Sequence, residues 1–140
     1  MRFLLDNDVF FAAIYAGHVN HAAARKWLDA AKPEGWGIAV ETYLAAIRLL
    51  MNPAIMHSHA FTAAKAIQAV DLELAGKHPG RVLCATTKPE RAILAKAQGH
   101  RQVMDFWLVQ LAREAGCKLV TNDGGTLNHW PEDTLRPLRA

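Results

Sequence analysis

Disulfides, membrane spans and strong net charge are all scarce in this chain. Only two of its 140 residues are cysteine, and Cys84 and Cys117 stand far apart with no C-x-x-C pair, which argues against a disulfide framework and a thiol redox motif. No apolar run reaches about 18 residues and no signal-peptide pattern opens the chain, so a transmembrane helix is not expected and a reduced, cytoplasmic protein is. Sixteen basic and thirteen acidic residues leave a formal charge of +3 and a pI of about 9.1, a balance that favours a polyanionic partner without establishing one. Signature loops are missing too. There is no P-loop, no G-x-G-x-x-G and no G-x-S-x-G, and no Ser-His-Asp or Cys-His set can be assembled. Seven histidines include His18-x-x-His21 and His57-x-His59, but neither pair has cysteine or carboxylate at a zinc spacing, which assigns them to solvent or packing.

About half the residues are apolar, which suits one domain over residues 1–140 with no repeat or linker. Phe3 to Leu5 predicts a short strand ending at Asp6, followed by a helix over Val9 to Tyr15. A second helix is expected from Asn20, as its N-cap, to about Ala31, ended by Pro33, Glu34 and Gly35. Trp36 to Val40 reads as a strand, and Glu41 opens an apolar helix over Thr42 to Met51 that Asn52 and Pro53 stop. Helical spacing of Phe61, Ala64, Ile67 and Leu72 predicts a helix from Ser58 to about Ala75, with Gly76 to Gly80 separating it from a strand over Arg81 to Ala85. A short helix over Pro89 to Gln98 precedes a strongly periodic one over Gln102 to Ala115, with Gly116 at C′. Lys118 to Thr121 is then a strand delivering Asn122 and Asp123 into a glycine loop. This alternation predicts an α/β fold with a central parallel sheet, helices on both faces, and a site at the carboxyl ends of the strands.

Four acids, Asp6, Glu41, Asp105 and Asp123, each fall at the edge of an apolar segment where such a fold gathers side chains. Carboxylates held close raise one another's pKa, and at neutral pH a hard divalent cation is what neutralises them, so the pattern points to Mg²⁺ or Mn²⁺ and to phosphodiester or phosphoryl chemistry. Each acid also has a plainer role. Asp6 and Asp123 suit a helix cap and an Asp-Gly turn, and Glu41 suits a first helical turn facing the positive end of the dipole. Asp105 borders an apolar face made by Val103, Met104, Trp107, Leu108 and Leu111. Asp6-Asn7-Asp8 puts two acids and an amide in three residues, more than capping needs.

Leu4-Leu5-Asp6-Asn7-Asp8-Val9, Gly99-His100-Arg101-Gln102-Val103-Met104-Asp105 and Leu119-Val120-Thr121-Asn122-Asp123 together resemble the PIN-domain ribonuclease toxins of the VapC type. Ala22-Ala23-Ala24-Arg25-Lys26-Trp27-Leu28 and Ile47-Arg48-Leu49-Leu50-Met51-Asn52-Pro53 extend the resemblance over nearly the whole chain. It implies a metal-dependent endoribonuclease that cleaves RNA and is silenced by a small antitoxin protein. It also implies that Asp6, Asp105 and Asp123 hold the metal, with Thr121 as the hydroxyl residue before the last acid. Two positions depart from the family pattern. Asp8 stands where much of the family has Asn, and a gapless match puts the family's helix glutamate at Tyr43, leaving Glu41 as the nearby acid. Two residues rotate a helical side chain by about 200°, so Glu41 serves as the fourth catalytic acid only if the backbone there differs.

Asp6-Asn7-Asp8 also resembles the nucleophile loop of haloacid-dehalogenase-type phosphatases, for which Thr42 and Lys88 are poor matches to the further residues needed. A non-catalytic RNA-binding or partner-binding domain is the third alternative. Phe10, Phe11, Ile14 and Tyr15 exceed one narrow core stripe, so part of that helix is expected to stay exposed as a wall for the antitoxin. Oligomeric state is open between a monomer and a homodimer.

Overall fold

In the computed structural model, which describes residues 1–137, five strands form one parallel sheet. β1 (Phe3–Leu5) is central, between β2 (Trp36–Ala39) and β4 (Lys118–Val120), and β3 (Arg81–Leu83) and β5 (Thr134–Leu135) are the edges. All three residues of β1 are buried because alternate side chains of a strand point to opposite faces and both faces here are covered. Phe3 and Leu5 join one core layer and Leu4 the other. The first layer is closed by α1 (Asn7–Ile14), α2 (His21–Ala31), α3 (Val40–Met51), the short α4 (Pro53–Met56) and α5 (Ala63–Leu74). The second is closed by α6 (Arg91–Leu94) and α7 (Gln102–Glu114), with Trp130 beyond α8 (Gly124–His129).

Several boundaries differ from the sequence expectation, each for a local reason. Val40 begins α3 rather than ending β2. α3 ends at Met51, as expected before Asn52 and Pro53, but Pro53 also opens the unforeseen α4, where its missing N–H costs nothing, and the Asn52 side chain caps that helix by accepting the Ala54 N–H at 2.9 Å. The helix expected from Ser58 starts only at Ala63, because His57 adopts a left-handed φ of 54° and Thr62 supplies the cap to the Lys65 N–H. The segment expected as helix over Pro89 to Gln98 contracts to α6, and the strands expected to reach Ala85 and Thr121 end at Leu83 and Val120. Asn20 sits at the N-cap of α2 without a side-chain capping bond. The glycine stretch after Asp123 is helical rather than a loop, and β5 is too short to show in an apolar pattern.

Two helices are buried more completely than their patterns suggest. Phe10 and Phe11 lie inside the core, with Ile14 and Tyr15 partly buried against it, so α1 offers no exposed apolar wall. Its length is enclosed by the sheet and neighbouring helices rather than by one narrow stripe. α7 is buried without a break from Phe106 to Ala112, whereas Val103 and Met104, expected on its apolar face, are exposed in its first turn. Gln110 tolerates this burial because its Oε1 accepts the Glu90 N–H at 2.7 Å and its amide nitrogen donates to Glu114 at 3.0 Å. Gly116, at φ +69°, ends α7 in the left-handed conformation expected of a C′ glycine. No helix among the described residues is long and apolar enough to cross a membrane.

Candidate active site

β1 and β4 are adjacent, yet the chain leaves them for opposite edges of the sheet, so a crevice opens outside their carboxyl ends. Asp6 and Asp123 stand at those ends. The Asp6 N–H donates to the Val120 carbonyl at 3.0 Å, which ties the turn after β1 to the end of β4. Asp6 then caps α1, its Oδ1 accepting the Val9 N–H at 2.8 Å. Asp123 caps α8 with one oxygen, which accepts from the Thr126 N–H at 2.9 Å and the Thr126 hydroxyl at 2.7 Å. The Asp123 N–H donates in turn to the buried Thr121 hydroxyl at 3.1 Å. Capping therefore accounts for one oxygen of Asp123, while its Oδ1 has no hydrogen-bond donor among the described residues.

Asp105 reaches the same crevice from the first turn of α7. Together Asp6, Asn7, Asp8, Asp105, Asn122 and Asp123 line a cavity of about 350 Å³. The structure thus brings three of the four expected acids into one space and adds Asp8. None of the six lining residues is cationic, and the consequence is electrostatic. Burial pushes the Asp6 carboxyl up to about 7, helped by the charges of Asp105 and Asp8 and opposed by the Thr121 hydroxyl and the Val9 N–H. Burial, with the charges of Asp123 and Asp8, raises Asp105 to about 6.

A set of hard oxygen donors with uncompensated negative charge fits a small divalent cation. Among the described residues, no group of three or more His, Cys, Asp or Glu side chains is posed to close on one ion. Mg²⁺ does not need that, because it keeps much of its water and is held through one or two carboxylates. The donors present suit such an open site.

Glu41 is placed differently. It does not line the cavity; its Oε1 accepts the Trp107 indole N–H at 3.1 Å, and its Oε2 is buried with no partner among the described residues. Tyr43 turns away from the acids and donates its hydroxyl to Asp71 at 2.8 Å. A residue that spacing alone passed over is His18. Its Nδ1 accepts the Asn20 N–H at 3.0 Å, which leaves the proton on Nε2 to reach Asp8 at 3.1 Å. Nothing in the His18-x-x-His21 spacing signals that contact, which depends on how the turn between α1 and α2 folds back.

A family model described as the PIN domain matches residues 3–129. The chain belongs to the PIN-domain family. Its parallel sheet and two helical layers are that family's α/β architecture in this protein. Similar curated proteins are ribonucleases of Mycobacterium tuberculosis. Ribonuclease VapC38 is 32% identical over 122 residues, spanning 87% of this chain and 85% of the relative. Ribonuclease VapC29 is 32% identical over 128 residues, at 89% and 88% coverage, and ribonuclease VapC39 is 30% identical over 127, at 88% and 89%. In this PIN domain the phosphatase alternative finds no support, since Thr42, the hydroxyl nearest a second strand, is buried and donates to Asn7 at 2.6 Å.

Proposed function

We propose that this PIN domain is a Mg²⁺- or Mn²⁺-dependent endoribonuclease and the toxin of a toxin–antitoxin pair. The observation that carries the proposal is the meeting of Asp6, Asp105 and Asp123 in one cavity whose lining holds no positive charge. Likeness to the VapC ribonucleases supplies the substrate class. When bound, the ion supplies charge neutralisation at the scissile phosphate and a lowered pKa for the attacking water.

The protein's own contribution is positioning. Asp6 is held by the Val9 N–H and Asp123 by Thr126, so neither carboxylate has to be ordered when the ion and the RNA arrive. Asp105 comes from the first turn of α7, just before its buried stretch Phe106 to Ala112, and its charge interacts with those of both. Asn7 and Asn122 add neutral amides to the same wall, where they can bond phosphate oxygens without adding repulsion. No covalent enzyme intermediate is needed. A small antitoxin protein silences the activity by bringing a basic side chain onto the uncompensated acids, and the pair works in the cytoplasm. Since Phe10 and Phe11 are buried, that partner approaches by the cavity mouth rather than along α1.

The test is cleavage of a mixed RNA substrate by the purified protein with Mg²⁺, with Mn²⁺ and with EDTA, alongside Asp6→Asn. Metal-dependent internal cleavage by the wild type alone is expected. Absence of cleavage under every metal condition, together with harmless expression in the absence of the neighbouring gene's product, would refute the toxin assignment.

A further inference from the structure

The acid cavity has a neighbour. A second cavity of about 410 Å³ is lined by Asn7, Ala45, Arg48, Leu49, Met51 and Asn52, and Asn7 belongs to both walls. The two spaces therefore adjoin across one side chain, whose Oδ1 is fixed by the Thr42 hydroxyl at 2.6 Å. Their charges are opposite. The first holds four carboxylates and no cation, and the second holds Arg48 and no acid. Arg48 is exposed and makes no ion pair or side-chain hydrogen bond among the described residues. Asn52, by contrast, already spends its Oδ1 on the cap of α4.

From this juxtaposition we infer that the Arg48 cavity is the subsite for the RNA nucleotide beside the scissile phosphate, with Arg48 gripping a flanking phosphate and Leu49 and Met51 receiving the base. This rests on the ribonuclease assignment and deepens it. An RNA backbone entering a cavity of carboxylates is repelled until a cation is bound, so a fixed positive group at the adjoining wall is what orients the strand. An arginine suits the task, because its planar fork matches phosphate oxygens and its charge persists at every physiological pH. The half-buried Leu49 and the partly exposed Met51 supply apolar surface of the kind that a nucleobase face covers. A peptide segment is the competing occupant, but the lining holds a cation and no acid, which favours a polyanion.

The experiment separates binding from chemistry. Fluorescence anisotropy with a short labelled oligoribonucleotide, on an Asp105→Asn background with a fixed excess of Mg²⁺, is measured over a range of salt with Arg48, Arg48→Gln and Arg48→Lys. Arg48→Gln is expected to weaken binding about tenfold and to lower the slope of log K against log salt by about 0.7, the value for one lost contact to a single strand. Arg48→Lys is expected to restore the slope but only part of the affinity. On the wild-type background, Arg48→Gln is expected to raise KM with little change in kcat. If the wild type cleaves RNA and Arg48→Gln changes neither slope nor KM, the subsite is wrong while the ribonuclease stands. Loss of hold on the antitoxin with RNA binding intact would overturn it in favour of a protein-docking pocket. A wild type that cleaves no RNA would remove the ribonuclease assignment itself.

Discussion

Carboxylates at two places in this molecule are treated in opposite ways. Glu73 on α5 is surrounded by cations: Arg25 reaches it at 2.6 Å and Lys32 at 2.9 Å, while Arg25 also binds Asp29 at 2.8 Å. Burial alone pushes Glu73 up, but the hydrogen bonds and charges of Arg25 and Lys32 outweigh it and hold the carboxyl below its ordinary range. Asp6, which is buried, and Asp105, which is partly so, have no cation among the described residues to offset that burial, and both are raised. On the proposed function, the difference follows from what each group is for. A carboxylate that serves the fold is given its counter-charge by the chain, whereas one that serves an incoming ion or substrate is left without it.

Removing a member of the uncompensated group should have the largest effect on activity and the least on folding. Asp105→Asn is expected to lower Mn²⁺-dependent RNA cleavage by at least about a hundredfold, while its metal-free melting temperature stays at or above that of the wild type, because one repelling charge is gone. Thermal melts with and without Mn²⁺ should also show the variant losing most of the ion's stabilisation. An equal gain from Mn²⁺ in variant and wild type would mean that Asp105 does not face the ion.

The two carboxylate environments should also respond to pH with opposite signs. Asp6 and Asp105 have folded pKa values near 7 and 6 against an ordinary 3.8, so the folded state binds their protons more tightly than the unfolded chain does. Their contribution is complete below about pH 3.8 and is lost as pH rises through 6 and 7, a change on the order of a few kcal/mol in the metal-free protein. Glu73 contributes above its ordinary 4.5 and loses that contribution as pH falls through its lowered folded value. Urea denaturation in EDTA at pH 5 and pH 8 checks the first part: the wild type should be less stable at pH 8, and Asp6→Asn should flatten the difference.

Breaking the compensated cluster should do the reverse of breaking the acid cavity. Glu73→Gln leaves Arg25 and Lys32 without their shared counter-charge and is expected to cost about 1 to 3 kcal/mol, with kcat and KM unchanged. Denaturant midpoints and steady-state cleavage of the same preparations decide it. The smallest effects are expected where the acids are peripheral. Asp8 lines the cavity and Glu41 does not, so Asp8→Asn should raise the Mn²⁺ concentration needed for half-maximal cleavage by a few-fold. Glu41→Gln should shift it less, because the amide Oε1 still accepts the Trp107 N–H. The opposite ranking would restore Glu41 as the fourth acid through its unpartnered oxygen.

Most of the frame was legible because it rests on local patterns. The apolar runs at Phe3 to Leu5 and Leu119 to Val120, the glycine after α7 and the order of strands and helices all follow from short-range periodicity and turn chemistry. The acids at strand ends followed from that frame, since a parallel sheet presents its carboxyl edge as the site. What failed lies where local signals are ambiguous. A proline that stops one helix, as Pro53 does after α3, can also start the next, a glycine pair can be a loop or a first turn, and a helix such as α1 can be wetted or enclosed according to what folds over it.

By itself, then, the sequence determined the architecture and the identity of the acidic groups, because strand period, helix period and capping chemistry act over a few residues. Only the tertiary structure decided which charges are compensated. Glu73 meets Arg25 and Lys32, and Asp6 meets Asp105 and Asp123, across long stretches of chain. Electrostatic energy depends on distance and burial in space, and neither quantity is written in the spacing of residues along the chain.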